Sequence, residues 1–140
     1  MLIRIAQVSD ASELNKLNSL FNGQGCSSIE SAEESLKANE QEIVCVAADG
    51  SRLIGFCCGQ IFRSVCYSYI WSEITELFVM NEYRRQGIGR QLLEFIEREL
   101  MLHGVKHNHI LTGKDNKTAQ TLYLSCGYGE TSEILLDKDL

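Results

Sequence analysis

Along the first residues, Leu2 to Ala6, apolar and polar side chains alternate, the mark of a short strand with one buried face. The period then lengthens. Leu14, Leu17 and Leu20 recur at helical spacing after Ser9 or Asp10, either of which suits a helix cap. A Gly/Asn/Ser interval from Asn22 to Ser28 precedes a second helix, Ile29 to about Asn39, whose Glu30, Glu33 and Glu34 favour the positive end of its dipole. Glu42 to Ala48 is rich in β-branched and small apolar residues, and Asp49-Gly50 is a hairpin turn into Leu53 to Ile61. Tyr67 to Met80 reads as a longer strand, after which Asn81 to Arg85 leads into a helix that starts near Gly87. That helix carries Ile88, Leu92, Leu93, Ile96 and Leu100 on one face and ends at His103-Gly104. Asn108 to Thr112 is expected as a short strand, Asn116 to Ser125 as a helix closed by Cys126-Gly127, and Gly129 to Leu136 as a last strand. The order β-α-α-β-β-β-α-β-α-β, with a βαβ crossover near its centre, predicts an α/β fold: a mixed sheet with helices on both faces.

Composition narrows the function classes. With 140 residues and no linker, the chain is expected to form one domain, 1–140, with a substantial core. Its longest apolar stretches, such as Ile43 to Ala48, are far shorter than the roughly 20 residues that cross a bilayer. The N-terminus reads as a strand and not as a signal peptide, so a cytoplasmic protein is expected. Six cysteines, at 26, 45, 57, 58, 66 and 126, form no CxxC pair with histidines at zinc-like spacing, and no metal is expected. Cys45, Cys57 and Cys58 lie in apolar runs and read as reduced core thiols. A net charge of −6 argues against a nucleic-acid surface and fits a cationic partner better.

The most informative residues are Arg84-Arg85-Gln86-Gly87-Ile88-Gly89-Arg90, between a strand and an amphipathic helix. The first amides of a helix lack intrahelical acceptors and sit at the positive end of its dipole, so they can converge on a phosphate. Glycines at 87 and 89 let the backbone come close, and the arginines add charge-assisted bonds at the rim. A Rossmann turn would need a small residue where Leu92 stands, and GxxxxGK[ST] is absent.

Together with Glu73-Ile74-Thr75-Glu76-Leu77-Phe78-Val79 before this loop, and Asn116 to Ala119, Leu122-Tyr123 and Cys126-Gly127-Tyr128 after it, the chain resembles the GCN5-related N-acetyltransferase (GNAT) family. Arg84 to Gly89 matches that family's Arg/Gln-x-x-Gly-x-Gly/Ala signature; the first 40 residues agree only in element order. The resemblance implies a central, mostly antiparallel sheet and acetyl-CoA as co-substrate. It implies that the pantetheine arm enters a gap where the strand at Leu77, Phe78 and Val79 splays from the strand near Ile110 to Thr112. It further implies that Arg84, Arg85, Gln86, Gly87, Ile88, Gly89 and Arg90 form the pyrophosphate site, and that Asn116 steadies the pantetheine or the following helix; Asn116 also reads simply as a cap.

Amine acetylation needs a base, because an alkyl amine near its reference pKa of about 10.4 is mostly protonated at neutral pH and only the free amine attacks a thioester. It also needs an oxyanion donor and an acid for the departing thiolate. By the resemblance, Glu73 is the expected base with Glu76 as runner-up, and Tyr123 is the expected acid. Ideal alternation puts the two glutamates on opposite faces unless a bulge intervenes, and either also reads as a solvated or ion-paired strand residue. His103, His107 and His109 have no carboxylate at a telling spacing and are expected at the surface. Trp71, Tyr67 and Tyr69, with Glu73 and the second helix's glutamates, suggest an acidic, aromatic-lined cleft for an amine-bearing acceptor that is small and cationic, such as an aminoglycoside. A peptide or protein amine is the alternative acceptor; a non-catalytic acetyl-CoA sensor is the alternative class. Dimerisation through the last strand or the acidic helix is a further expectation.

Overall fold

The continuous apolar run Ile43 to Ala48 has a simple cause: it is covered on both sides. In the computed structural model, which describes residues 1–140, it forms most of β2 (Glu42–Asp49) in one sheet with β1 (Leu2–Ile5), β3 (Arg52–Ser64), β4 (Tyr67–Val79) and β5 (Val105–Ile110). The strand order is β1-β2-β3-β4-β5. The first three junctions are antiparallel, and β4 and β5 are parallel. Parallel pairing follows from α3 (Ile88–Leu102), which carries the chain back across the sheet between β4 and β5.

Cys45 and Ala47 of β2 face α3, where Ile88, Leu92, Leu93, Ile96 and Leu100 bury their expected stripe against Ile54, Cys57, Ile61 and Ile74. Val46 and Ala48 face the other way, under Leu14 and Leu17 of α1 (Ala11–Asn22), together with Leu53, Phe56 and Cys58. Leu20 stays exposed, and the last turn of α1 presents Phe21 to Phe56 and Phe78 instead. The helix α2 (Ile29–Ala38) buries no residue fully. Cys45, Cys57 and Cys58 are free and buried, and burial pushes the Cys57 and Cys58 thiols up, which keeps them protonated core groups. No helix is long and apolar enough to cross a membrane.

Asp10 occupies the N-cap position of α1, yet its carboxylate binds elsewhere. It accepts from Arg4 at 2.7 and 2.9 Å and from the Gln7 amide at 2.7 Å. The Arg4 bonds, helped by the Gln7 amide and opposed by burial, hold its carboxyl below the usual value of 3.8. A depressed carboxyl stabilises the fold above its unfolded value, and that contribution fades as pH falls through the lower folded value. Asp10→Asn is expected to cost about 1–3 kcal/mol at pH 7. In thermal melts, its deficit against the parent should shrink as the pH is lowered below the ordinary carboxylate range; a gap independent of pH would refute the ion-pair account.

Two expectations at the C-terminal end are corrected. The short strand runs Val105–Ile110, not Asn108 to Thr112, because pairing with β4 from Ile70↔Val105 to Ile74↔Ile110 sets its frame. Its polar Lys106 and His107 obscured it: an edge strand tolerates polar side chains because part of it faces water. Gly129 to Leu136 forms no strand, and Ile134, Leu135 and Leu136 are exposed. A β-prone run becomes a strand only with a ladder partner, and no segment of this chain pairs with it. The outer edge of β5 stays open, beside a groove of about 830 Å³ that lies between α3 and the residues following α4 (Lys117–Ser125).

Candidate functional site

The parallel ladder between β4 and β5 stops at Ile74↔Ile110, but β4 continues to Val79 paired to β3 alone. The backbone edge of Leu77, Phe78 and Val79 that faces away from β3 therefore has no strand partner, and a wedge opens between the two parallel strands. Leu77 and Val79 send their side chains into the α3-side core, while Phe78 joins the α1 side. All three side chains are partly buried against the two core clusters.

Just before this edge, β4 carries one extra residue. Cys58 pairs with Glu76 and Gly59 with Ile74, which leaves Thr75 as a bulge. Glu73 and Glu76 consequently share the α1/α2 face, whereas Ile74 and Leu77 share the α3 face. The Thr75 hydroxyl lies within hydrogen-bond reach of the Glu76 carboxylate and of the Cys58 carbonyl.

The same register builds a polar row across four strands: Glu42↔Gln60↔Glu73↔His109. Gln60 Nε2 donates to Glu42 Oε2 at 2.9 Å, and His109 Nε2 lies 2.9 Å from Glu73 Oε1. Burial pushes the Glu42 carboxyl up; bonds from Ser35 and Gln60 oppose this, and nearby Glu76 adds to it. Trp71 stacks on Phe62 with centroids 4.3 Å apart and meets His109 at 5.2 Å, and Tyr67 and Tyr69 lie 5.3 Å apart further along β4. Trp71, Glu73 and Glu76 thus share one face of the sheet, joined by Glu42 from β2. The glutamates of α2 contribute no bond to it.

His103 and His107 are exposed as expected, but His109 is not a bystander. It pairs with Glu73, and the pair's side chains are only 35% and 22% exposed. The 36-residue separation hid this contact, which exists only because β4 and β5 run in register. Glu42 was missed for the same reason.

At the mouth of the wedge lies the loop. Gly87 sits at φ +78° and Arg85, the one non-glycine residue with positive φ, at 63°. No side chain caps α3, and its first turn holds no acid. Its first intrahelical bond runs from Gln91 N to Gly87 O, so the amides of Ile88, Gly89 and Arg90 have no helical acceptor. A Cβ on Gly89 would lie 3.3 Å from Leu122, so glycine lets this turn rest against α4. The arginines divide their work. Arg84 donates through Nε to the Val79 carbonyl at 2.9 Å and lies over Phe78, and Arg90 bonds Ser125 at 2.7 Å. Arg85 and Gln86 remain exposed.

Asn116 caps α4, accepting from the Ala119 amide at 3.2 Å. Tyr123 packs against the α3-side core, and burial raises its phenol above the usual value, so it stays protonated at neutral pH. Its neighbour Tyr128 is committed: its hydroxyl donates to Glu97 at 2.6 Å and accepts from Asn108 at 2.6 Å, and Asn108 in turn accepts from the fully buried Ser72 at 2.8 Å. Burial and Glu97 together drive the Tyr128 phenol far upward. That network fastens β5 and the end of α4 to β4 and α3.

Residues 12–128 match the Acetyltransferase (GNAT) family. The chain is 30% identical over 136 residues to the uncharacterized N-acetyltransferase YhfO of Bacillus subtilis, covering 93% of this chain and 91% of that one. It is 31% identical over 110 residues to an uncharacterized N-acetyltransferase of Chlorobaculum tepidum, a match to 79% of this chain that spans 66% of that relative's length. Among solved structures it is similar to AAC(6')-Iy in complex with the bisubstrate analogue CoA-S-monomethyl-acetylneamine, with a TM-score of 0.85, 20% identity, and 99% and 97% of the two chains covered.

Proposed function

Because the chain belongs to the acetyltransferase (GNAT) family and is an acyltransferase, we propose that it moves an acetyl group directly from acetyl-CoA to a primary amine of a small, cationic acceptor, an aminoglycoside being the first candidate. The observation that carries this reading is the wedge: an unpaired β4 edge, with uncapped α3 amides at one end and the carboxylates of Glu73 and Glu76 at the other.

The residues present suit acetyl-CoA. The amides of Ile88, Gly89 and Arg90, the αL turn at Gly87 and the outward Arg85 would take the pyrophosphate. The backbone of Leu77, Phe78 and Val79 would pair with the pantetheine amides, as an added strand would. Arg84 and Arg90 brace the loop against β4 and α4, and Asn116 serves as a cap. Bound acetyl-CoA supplies an activated acyl group as its thioester.

The remaining work belongs to side chains. Glu73 takes the proton from the acceptor's ammonium; its Oε1 is held by His109 and its Oε2 is left for the amine. Trp71, flanked by Phe62 and His109, walls the site with an aromatic ring, and Glu42 and Glu76 add carboxylates on the same side of the sheet that would attract a cation. Tyr123, kept protonated by burial, donates to the departing thiolate. The structural likeness to AAC(6')-Iy, solved with the bisubstrate analogue CoA-S-monomethyl-acetylneamine, supports an acceptor of the neamine kind.

The test is release of CoA thiol from acetyl-CoA with kanamycin, spermidine and an alanine-terminated peptide as acceptors, with products identified by mass spectrometry. Acetylated kanamycin or spermidine is the expected product. Preference for the peptide would reassign the acceptor class. Tight acetyl-CoA binding with no acceptor-stimulated release would make the protein a sensor and overturn the reading.

A further inference from the structure

Glu73 and His109 stand directly opposite each other, one rung before the ladder ends and the wedge begins. On a parallel pair that is the last place where a side chain on β5 can hold one on β4 without filling the gap itself. His109 Nε2 meets Glu73 Oε1 at 2.9 Å, and the imidazole is confined on another side by Trp71, 5.2 Å away and itself stacked on Phe62. The ring therefore has little freedom to turn from the carboxylate. With Nε2 engaged as donor, one carboxylate oxygen is fixed and the other is aimed. Gln60, which faces Glu73 from β3, is occupied by Glu42 and offers no such restraint.

We propose that His109 is the positioning residue for Glu73: a hydrogen bond across the splay point holds the carboxylate in the orientation from which it takes the acceptor's proton. This rests on Glu73 being the base. A general base contributes only when its oxygen meets the proton at hydrogen-bond distance, and a displacement of about 1 Å costs on the order of 100-fold in rate. The same restraint would matter little to acetyl-CoA, whose proposed site lies beyond the ladder's end, at Leu77, Phe78, Val79 and the start of α3.

The experiment compares His109→Phe, His109→Gln, Glu73→Gln and the double variant, using whichever of kanamycin, spermidine and the alanyl peptide the parent acetylates fastest. Phenylalanine keeps an aromatic ring beside Trp71 but removes the donor; glutamine keeps a donor. His109→Phe is expected to lower kcat about 10- to 100-fold with the KM for acetyl-CoA unchanged. His109→Gln should recover most of that rate, and His109→Phe should cost nothing further on the Glu73→Gln background. Circular-dichroism melts of each variant identify any rate loss that is merely unfolding. Full kcat in His109→Phe, equal losses in the Phe and Gln variants, or a loss undiminished on the Glu73→Gln background would each overturn the positioning role while leaving Glu73 as the base. Full kcat in Glu73→Gln would remove the base assignment and this inference with it.

Discussion

Glu73→Gln is expected to lower kcat by about 100-fold or more while the affinity for acetyl-CoA stays within about twofold, since general-base contributions run to 10²–10⁴. The amide keeps the shape of the carboxylate and can still bond His109, so packing survives and only proton acceptance is lost. Glu76→Gln is the matched comparison. It lies on the same face because of the Thr75 bulge, but Thr75 occupies its carboxylate and no imidazole orients it. A loss of less than about 10-fold is expected there, mainly in the KM for a cationic acceptor. Steady-state CoA release, with acetyl-CoA binding followed by calorimetry, separates the two effects. If Glu76→Gln proved the more damaging for kcat, the base would be Glu76.

Gly87→Asp should weaken acetyl-CoA binding by about 100-fold, equivalent to about 2.7 kcal/mol. The residue sits at φ +78° at the start of α3, where aspartate and asparagine are the side chains that best tolerate a left-handed backbone. A carboxylate there complements the α3 dipole, which offsets part of the backbone strain, so the melting temperature should change little. It also occupies the electrostatic position proposed for the pyrophosphate, and repulsion between charges about 4 Å apart is worth several kcal/mol at protein-surface dielectric. Gly87→Asn carries the same backbone demand without the charge and should lose less than about 10-fold. Equal binding by the Asp variant and the parent, measured by calorimetry on folded protein, would show that the phosphates lie elsewhere.

The residues that were legible in the sequence act locally. The glycines at 87 and 89 announce a tight approach at a helix start, the α3 stripe announces the face it buries, and Asn116 announces a cap, because each of these depends on neighbours within a turn or two of the chain. Arg84 and Arg90 show the limit of that kind of reading. Their place beside the glycines suggested phosphate ligands, yet Arg84 is turned back onto Val79 and Phe78 and Arg90 reaches to Ser125. A side chain's address does not give its direction.

The C-terminal run shows the same boundary from another side. Ile134, Leu135 and Leu136 have the composition of a strand, and they stay exposed because strand formation requires a partner's ladder as well as local preference.

By itself, then, the sequence determined the order of helices and strands as far as α4, the amphipathic face of α3 and the glycine turn at its start, all of which follow from periodicity and backbone stereochemistry over a few residues. Only the tertiary structure decided that Glu73 and Glu76 share a face, that His109 holds Glu73, that Glu42 joins them, and that β4 and β5 part after Ile74 and Ile110. Those facts hang on register between strands up to 36 residues apart, and one bulged residue reverses every facing that follows it.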